Sequence, residues 1–444
     1  MNGLLAEGEN LRFEGLEQPL QIERALGGGS QGQVFAVQLG KERLALKWYF
    51  PACIARDPQL QERLQQSIRL GAPNEDFLWP LAVLEPTTSS RSRIRASPAG
   101  FGYLMALRPG DFLGAHQHAG GAIEISLQNV LKACFHLAEA FHQLHLKGLC
   151  YKDISLGNLF LQPGSGRILI CDNDNVDVDG RGSGSVLGTP GFMAPEVLLG
   201  LARPSAGSDL FSLAVLLFRL LTRHDPFRGQ QELAIRCLDE PARRRVYGEE
   251  ALFIFDPHNS ANRPDPIEHS AALITWPIYP DALQRLFVQS FGPGLHQPNQ
   301  RTLTGQWKQA ISHCLDQRQL CQHCGQETFP TADAPSRCWS CSSALAPPVQ
   351  LQLPHGRVSA TDGNELQPHH FDPLNSEAIS TPLARLVAHP SEPSLLGLQN
   401  LSQSRWHGQT QAGQSIELDP GKTCNLAALQ QLQSSAGSIL VLRP

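Results

Sequence analysis

Five short stretches of this chain hold residue types that chemistry on a triphosphate needs. Gly27, Gly29 and Gly32, followed by Val34, make a glycine-rich turn between two apolar runs. Lys47 closes the run Leu44-Ala45-Leu46. Further along come Asp153 and Asn158, then Asp172 after Ile170-Cys171, then Ala194-Pro195-Glu196. A backbone without Cβ atoms can approach phosphate oxygens closely. An ammonium group can neutralise them, and a carboxylate with an amide oxygen can hold a hard divalent cation. A carboxylate facing a hydroxyl can take its proton. In this order the residues form a set of parts for moving a phosphoryl group from ATP.

Each part alone has a plainer reading. A lone glycine-rich match is most often an ordinary hairpin, and a dinucleotide-binding loop would need a helix after it, whereas residues 33–37 read as a strand. A lysine at a strand end is usually structural, and Asp153 with Asn158 could be an Asx-rich loop. The shared order and spacing carry the inference.

These residues need elements to position them. Residues 33–37 and 43–48 read as strands around a turn at 39–42, and 78–84 and 102–107 as further strands. Leu60, Leu64 and Ile68 give residues 58–70 the period of an amphipathic helix. From 124 the pattern turns helical, with a long helix over 126–146 whose apolar face is Val130, Leu131, Leu137, Ala138, Phe141 and Leu144. A short strand over 167–171 precedes a Gly/Ser-rich stretch at 179–191, and helices are expected at 194–200, 208–222, 231–238, 281–290 and 304–316. The expected fold class is therefore multidomain α+β. A β-rich lobe with one helix spans 1–110 and a mainly helical lobe spans 111–316, with a cysteine segment at 317–346 and a β-rich domain at 349–444.

Tyr151-Lys152-Asp153-Ile154-Ser155-Leu156-Gly157-Asn158 and Gly188-Thr189-Pro190-Gly191-Phe192-Met193-Ala194-Pro195-Glu196 carry a resemblance. Over about residues 20–316 the chain is similar to eukaryotic-type Ser/Thr protein kinases, which implies the bilobal protein-kinase fold. The resemblance implies that Asp153 orients the acceptor hydroxyl, that Asn158 and Asp172 hold Mg²⁺ (or Mn²⁺), and that Thr189 bonds the catalytic aspartate. It implies that Gly27, Gly29, Gly32, Val34, Ala45, Lys47, Met105 and Leu107 bind ATP, with adenine received near Ala106 and Leu107. Lys47 then needs a helix carboxylate, and Glu62 is the candidate. Glu196 is expected to pair with Arg301, and Asp209 to tie down the catalytic loop or to act as a helix N-terminal carboxylate.

The departures are specific. Tyr151-Lys152 stands for the family's His-Arg, and Lys152 is expected to answer a phosphate on the activation segment without the fork of an arginine. Ser155 replaces a lysine that contacts the γ-phosphate. Asn173-Asp174 replaces Phe-Gly, leaving Asp174 either to share a divalent metal or to be solvated. These departures keep a second reading open: a pseudokinase, a nucleotide-binding scaffold for signalling partners. Ser183, Ser185 and Thr189 are possible phosphorylation sites by position.

Cys321-x-x-Cys324 and Cys338-x-x-Cys341 have the spacing of two zinc knuckles, a closed structural Zn²⁺ site, with His323 a solvated bystander. From 349 onward short apolar runs at 349–353, 384–388, 394–398, 415–418 and 438–442 alternate with turn residues, the rhythm of a small β-sandwich. Leu398 to Ser402 with Leu418-Asp419-Pro420-Gly421 weakly resembles a forkhead-associated domain. Kinase, zinc ribbon and β-domain together look similar to bacterial kinases of tellurium-resistance-type clusters, which implies a von Willebrand A-domain protein and a PP2C-like phosphatase as partners beside the protein substrate.

A formal charge of −5 gives no sign of a nucleic-acid or anionic-membrane partner. Residues 210–221 are too short and too interrupted for a bilayer span. An uneven set of eleven cysteines and no basic, apolar leader place the chain, by expectation, in a reducing cytoplasmic compartment.

Overall fold

Alternation along the strands buries a sheet on both faces. Phe35, Val37, Leu46, Trp48 and Leu104 point into one apolar cluster, whereas Ala45, Tyr49, Tyr103 and Met105 point into another. The sheet belongs to a computed structural model that describes residues 5–13, 16–85, 100–180, 186–330, 336–375, 378–379 and 381–444. Ser183 and Ser185 lie outside the described residues. The strands β1 (Asn10–Leu11), β2 (Leu20–Gly28), β3 (Gly32–Leu39), β4 (Glu42–Tyr49), β5 (Ala82–Leu84) and β6 (Gly102–Ala106) pair antiparallel in the order β1-β2-β3-β4-β6-β5. Between β4 and β5 lie α1 (Pro51–Arg56) and α2 (Leu60–Leu70), with Leu60 and Leu64 of α2 in the second cluster. The strand expected over 78–84 shrinks to three residues; Pro80, just ahead of β5, has no N–H for the ladder.

The helical part follows with β7 (Leu113–Gly114), α3 (Ala115–Ala119), α4 (Leu127–Leu146), β8 (Leu149–Cys150), β9 (Leu159–Leu161), β10 (Ile168–Ile170), β11 (Asp177–Val178), α5 (Pro195–Leu198) and α6 (Ala206–Thr222). Ser205 and Ser208 close a reciprocal capping box at the start of α6. Nearly all of α6 beyond its first turn is buried, with Phe211 and Phe218 packed on Phe227, Phe253 and Phe291. Among the described residues no helix is long and apolar enough to cross a membrane. The helix expected over 231–238 is only Gln230–Leu233. Unforeseen are Glu240–Arg244, continued by a π-type turn at Arg245–Glu249, and Ser270–Thr275.

The chain divides into two compact units. The first holds residues 1–124, 136–264 and 288–302, and so contains the six-stranded sheet and α6. The second holds 125–135, 265–287 and 303–444. In the second, a six-stranded and a four-stranded antiparallel sheet share one apolar core that includes Leu351, Leu386, Leu398, Trp406, Leu432 and Ile439. Arg318 ties that unit together: its guanidinium donates to Asn364 Oδ1 at 3.0 Å and Glu327 Oε1 at 2.8 Å. Glu327 also accepts from the free backbone N–H groups of Leu127 and Gln128, capping the first turn of α4.

Candidate active site

The glycine-rich turn joins β2 to β3. Gly27 pairs with Val34 and Gly28 with Gln33, and the Gly29 N–H donates to the Gly32 carbonyl at 3.0 Å. A Cβ on Gly32 would stand 2.3 Å from the Trp48 carbonyl oxygen, so no side chain fits there. A Cβ on Gly27 or Gly29 would meet nothing, which leaves that backbone open to the cleft.

Lys47 lies opposite Val34 on β4, and its ammonium is buried. It donates to Asp174 Oδ2 at 2.8 Å, Gln31 Oε1 at 3.0 Å and Asp172 Oδ1 at 3.3 Å. Burial opposes the charged ammonium, but Asp174 and Asp172 more than offset it, and Lys47 stays protonated well above its usual range. Burial pushes the Asp172 carboxyl up, Lys47 draws it down and Asp174 raises it again. Glu62 does not reach this centre. It is exposed on α2, while the neighbouring Arg63 turns inward and binds Asp57. The helix register therefore overturns Glu62 as the lysine's partner. Asp174 is neither solvated nor placed as an open metal ligand: it is sealed, holding Lys47 and accepting from the Tyr49 hydroxyl.

The loop after β8 brings the acidic groups together. Asn158 Nδ2 donates to Asp153 Oδ2 at 3.2 Å and to its carbonyl at 2.9 Å, and Thr189 Oγ1 donates to Asp153 Oδ1 at 2.6 Å. Asp209, buried on α6, accepts from the Tyr151 N–H at 2.6 Å and the Lys152 N–H at 3.0 Å. The buried Tyr151 hydroxyl donates to the Cys171 carbonyl, next to Asp172. Lys152 does not wait for a phosphate: its side chain is 3% exposed and its ammonium meets Asp177 at 2.8 Å. Asp172 is left-handed (φ 54°), and Asn173 is buried with its Nδ2 donating to the carbonyls of Leu78 at 2.9 Å and Ile170 at 3.0 Å. Glu196 receives a two-pronged pair from Arg301, both contacts at 2.7 Å.

A cleft of about 850 Å³ runs between these groups. The glycine loop, Val34, Lys47, Asp153, Asp172 and Thr189 line it. Ala45, Met105 and Leu107 pack in the cluster that includes Val34 and Phe160, and those two side chains reach the cleft. Glu62 alone of the expected nucleotide residues stays apart. Gln31, Tyr49 and Asp174 were not anticipated at Lys47. Gln31 follows three glycines and a serine, and no period or spacing marks it.

In the second unit, all ligand sulfurs of Cys321, Cys324, Cys338 and Cys341 lie within 4.8 Å of one another. Cys321 and Cys341 are 3.7 Å apart and Cys324 and Cys338 3.6 Å. A disulfide would need about 2.05 Å. A tetrahedron with metal–sulfur bonds of about 2.3 Å has edges of about 3.8 Å, so the donor set fits Zn²⁺. Hydrogen bonds from Ser343 draw the Cys341 thiol down to about 6, whereas at Cys324 the Gln326 N–H is outweighed by burial and the neighbouring thiols, which push that thiol up to about 12. His323 is exposed.

Residues 108–289 match the protein kinase domain family. Over 241 residues it is 30% identical to protein kinase C delta type of Rattus norvegicus, covering 52% of this chain and 32% of that protein. It is 29% identical to the Mus musculus protein of the same name over 225 residues, 48% of this chain and 30% of that one. Against the Homo sapiens protein it is 36% identical over 108 residues, 23% of this chain and 16% of that one. The chain thus spans about a third or less of the length of these curated relatives.

Proposed function

We propose that this chain is an ATP-dependent protein kinase that phosphorylates Ser or Thr hydroxyls of a protein. The observation that carries the reading is the convergence of Lys47, Asp153, Asp172 and Thr189 on one cleft lined by the glycine loop, with Asn158 bonded to Asp153 behind it. Asp153 takes the acceptor's hydroxyl proton while that oxygen bonds the γ-phosphorus and the bond to the β-phosphate oxygen breaks. Thr189 and Asn158 hold Asp153 from two sides, fixing the angle at which it meets the hydroxyl. Lys47 neutralises phosphate oxygens. Asp172 and the oxygen of the Asn158 amide, whose nitrogen is committed to Asp153, would hold Mg²⁺, which supplies further charge neutralisation when bound. The Val34, Ala45, Met105 and Leu107 cluster would take the adenine.

Two features favour the rival scaffold reading: Ser155 is buried where the resemblance expects a lysine, and no other cation among the described cleft-lining residues stands beside Lys47. Radiolabelled ATP transfer decides. Native protein with Mg²⁺ or Mn²⁺ is expected to label a substrate protein, and Asp153→Asn to lower the rate by about 10²–10⁴-fold with ATP binding retained. ATP binding without transfer in either sample would establish the scaffold.

For the second unit we read the four cysteines as a structural zinc ribbon and the paired sheets as a β-sandwich-like interaction domain, similar to forkhead-associated domains. Support for that likeness is local: Asn400 bonds the carbonyls of Ser404 and Leu418 and accepts from Ser402, fixing the turn. The von Willebrand A-domain protein and PP2C-like phosphatase rest on the resemblance in domain order, and co-purification with the tagged chain tests them.

A further inference from the structure

The lysine in the cleft keeps company with two carboxylates of unlike situation. Asp172 has 38% of its side chain exposed and lines the cleft, whereas Asp174 has none exposed and does not. Asp174 is the nearer partner, at 2.8 Å against 3.3 Å, and the Tyr49 hydroxyl donates to the same Oδ2. Tyr49 is fully buried in the cluster below β4, two residues from Lys47 on the same strand face, so the arrangement rests on the strand itself. The single carboxylate of helix α2, Glu62, points into solvent.

We propose that Asp174 is the positioning carboxylate for Lys47, holding the ammonium at the phosphate end of the cleft in place of a helix glutamate. The inference rests on the kinase reading. It assigns the two acids separate tasks. Asp172 faces outward and is available to a divalent cation. Asp174 stays inside as the lysine's permanent counter-charge, so drawing Asp172 toward a metal does not strand a buried ammonium. It also makes the lysine's position depend on no carboxylate of α2, because both anchors, Asp174 and Tyr49, belong to the sheet and the segment after β10.

The test is a double-mutant cycle read by titration of a fluorescent ATP analogue and by steady-state transfer, using the full chain. Asp174→Asn is expected to weaken nucleotide affinity and raise KM for ATP by about ten- to a hundredfold, whereas in a Lys47→Met background the same change has no further effect. A residue that merely supports the fold would give additive losses. Tyr49→Phe, which removes one hydrogen bond and no charge, is expected to shift KM in the same direction by a smaller factor, and it keeps the test open if Asp174→Asn folds poorly. Glu62→Gln is expected to change neither quantity.

Unchanged KM in both Asp174→Asn and Tyr49→Phe, faster turnover in Asp174→Asn, or an equal loss in Glu62→Gln would each overturn the assignment. Faster turnover would mean that Asp174 sequesters the lysine. Those results leave the kinase reading standing if the native protein binds ATP and transfers phosphate. A native protein that binds no nucleotide sinks both.

Discussion

Asp172, Asp174 and Asp76 show how much a carboxylate's surroundings decide its work. The first two share an ammonium. Asp76 is buried with the Asn74 amide donating to it at 2.9 Å. Burial pushes its carboxyl up to about 7, and Asn74 offsets only part of that. The folded protein therefore binds a proton that the unfolded chain releases near pH 4. Stability falls as pH rises from about 4 to about 7 and is flat above that. Asp76→Asn should remove this slope. At pH 8 the variant should exceed the native protein by up to roughly 4 kcal/mol, with the gap closing toward pH 4. Urea midpoints of both proteins at pH 5 and pH 8 check it, and equal gaps at the two values would refute it.

At the scale of elements, Lys152 has a conformation and a partner that hold the loop between β8 and β9. Its φ is 72°, its N–H is on Asp209 and its ammonium is on Asp177 at the start of β11. The cation that was expected to answer a phosphate is already neutralised inside the fold. Asp177→Asn, which removes the counter-charge of a buried ammonium, should cost about 3–5 kcal/mol and lower the melting temperature, while phosphatase treatment of the native protein should leave transfer unchanged. Calorimetry and the transfer assay measure the two. Activity lost on dephosphorylation would contradict the pairing's role.

Elements of strong period were legible in the sequence. β3, β4, α4 and α6 were visible because apolar residues alternate or recur every three to four positions there. The π-type turn after Glu240–Arg244 and the helix Ser270–Thr275 were not, being short and held by tertiary contacts. The acidic groups of the cleft were legible through their spacing. The burial of Asp174 was not, since an Asp-Asn-Asp run reads as metal-binding or solvated until a lysine and a tyrosine from another strand close over it. Glu62 failed for a related reason: a one-position error in helix register turns a side chain by about 100°, and here Arg63 and Leu64 take the inward face.

For the molecule as a whole, the chain pairs a unit built around a cleft with a second built around two sheets and four thiols. The thiols are separated as metal ligands are, and their unit has little other reason to bring four sulfurs together. Purified protein should hold about one equivalent of zinc, and Cys324→Ser or Cys341→Ser should abolish it. Elemental analysis reads the stoichiometry. Chelation should lower the melting temperature of this unit's transition, since binding free energy at such a site is folding free energy. A melt indifferent to chelator would exclude a structural metal.

Asn173 bears on how the cleft could be drugged. Its amide clips the segment after β10 to carbonyls on two neighbouring stretches of backbone. An inhibitor that achieves selectivity by prising that segment outward would have to sever both bonds; the Ile170 carbonyl would keep the Leu78 N–H, but the Leu78 carbonyl would lose its donor, a penalty of about 1–3 kcal/mol. Compounds against this protein should therefore be sought among those that fit the cleft as it stands.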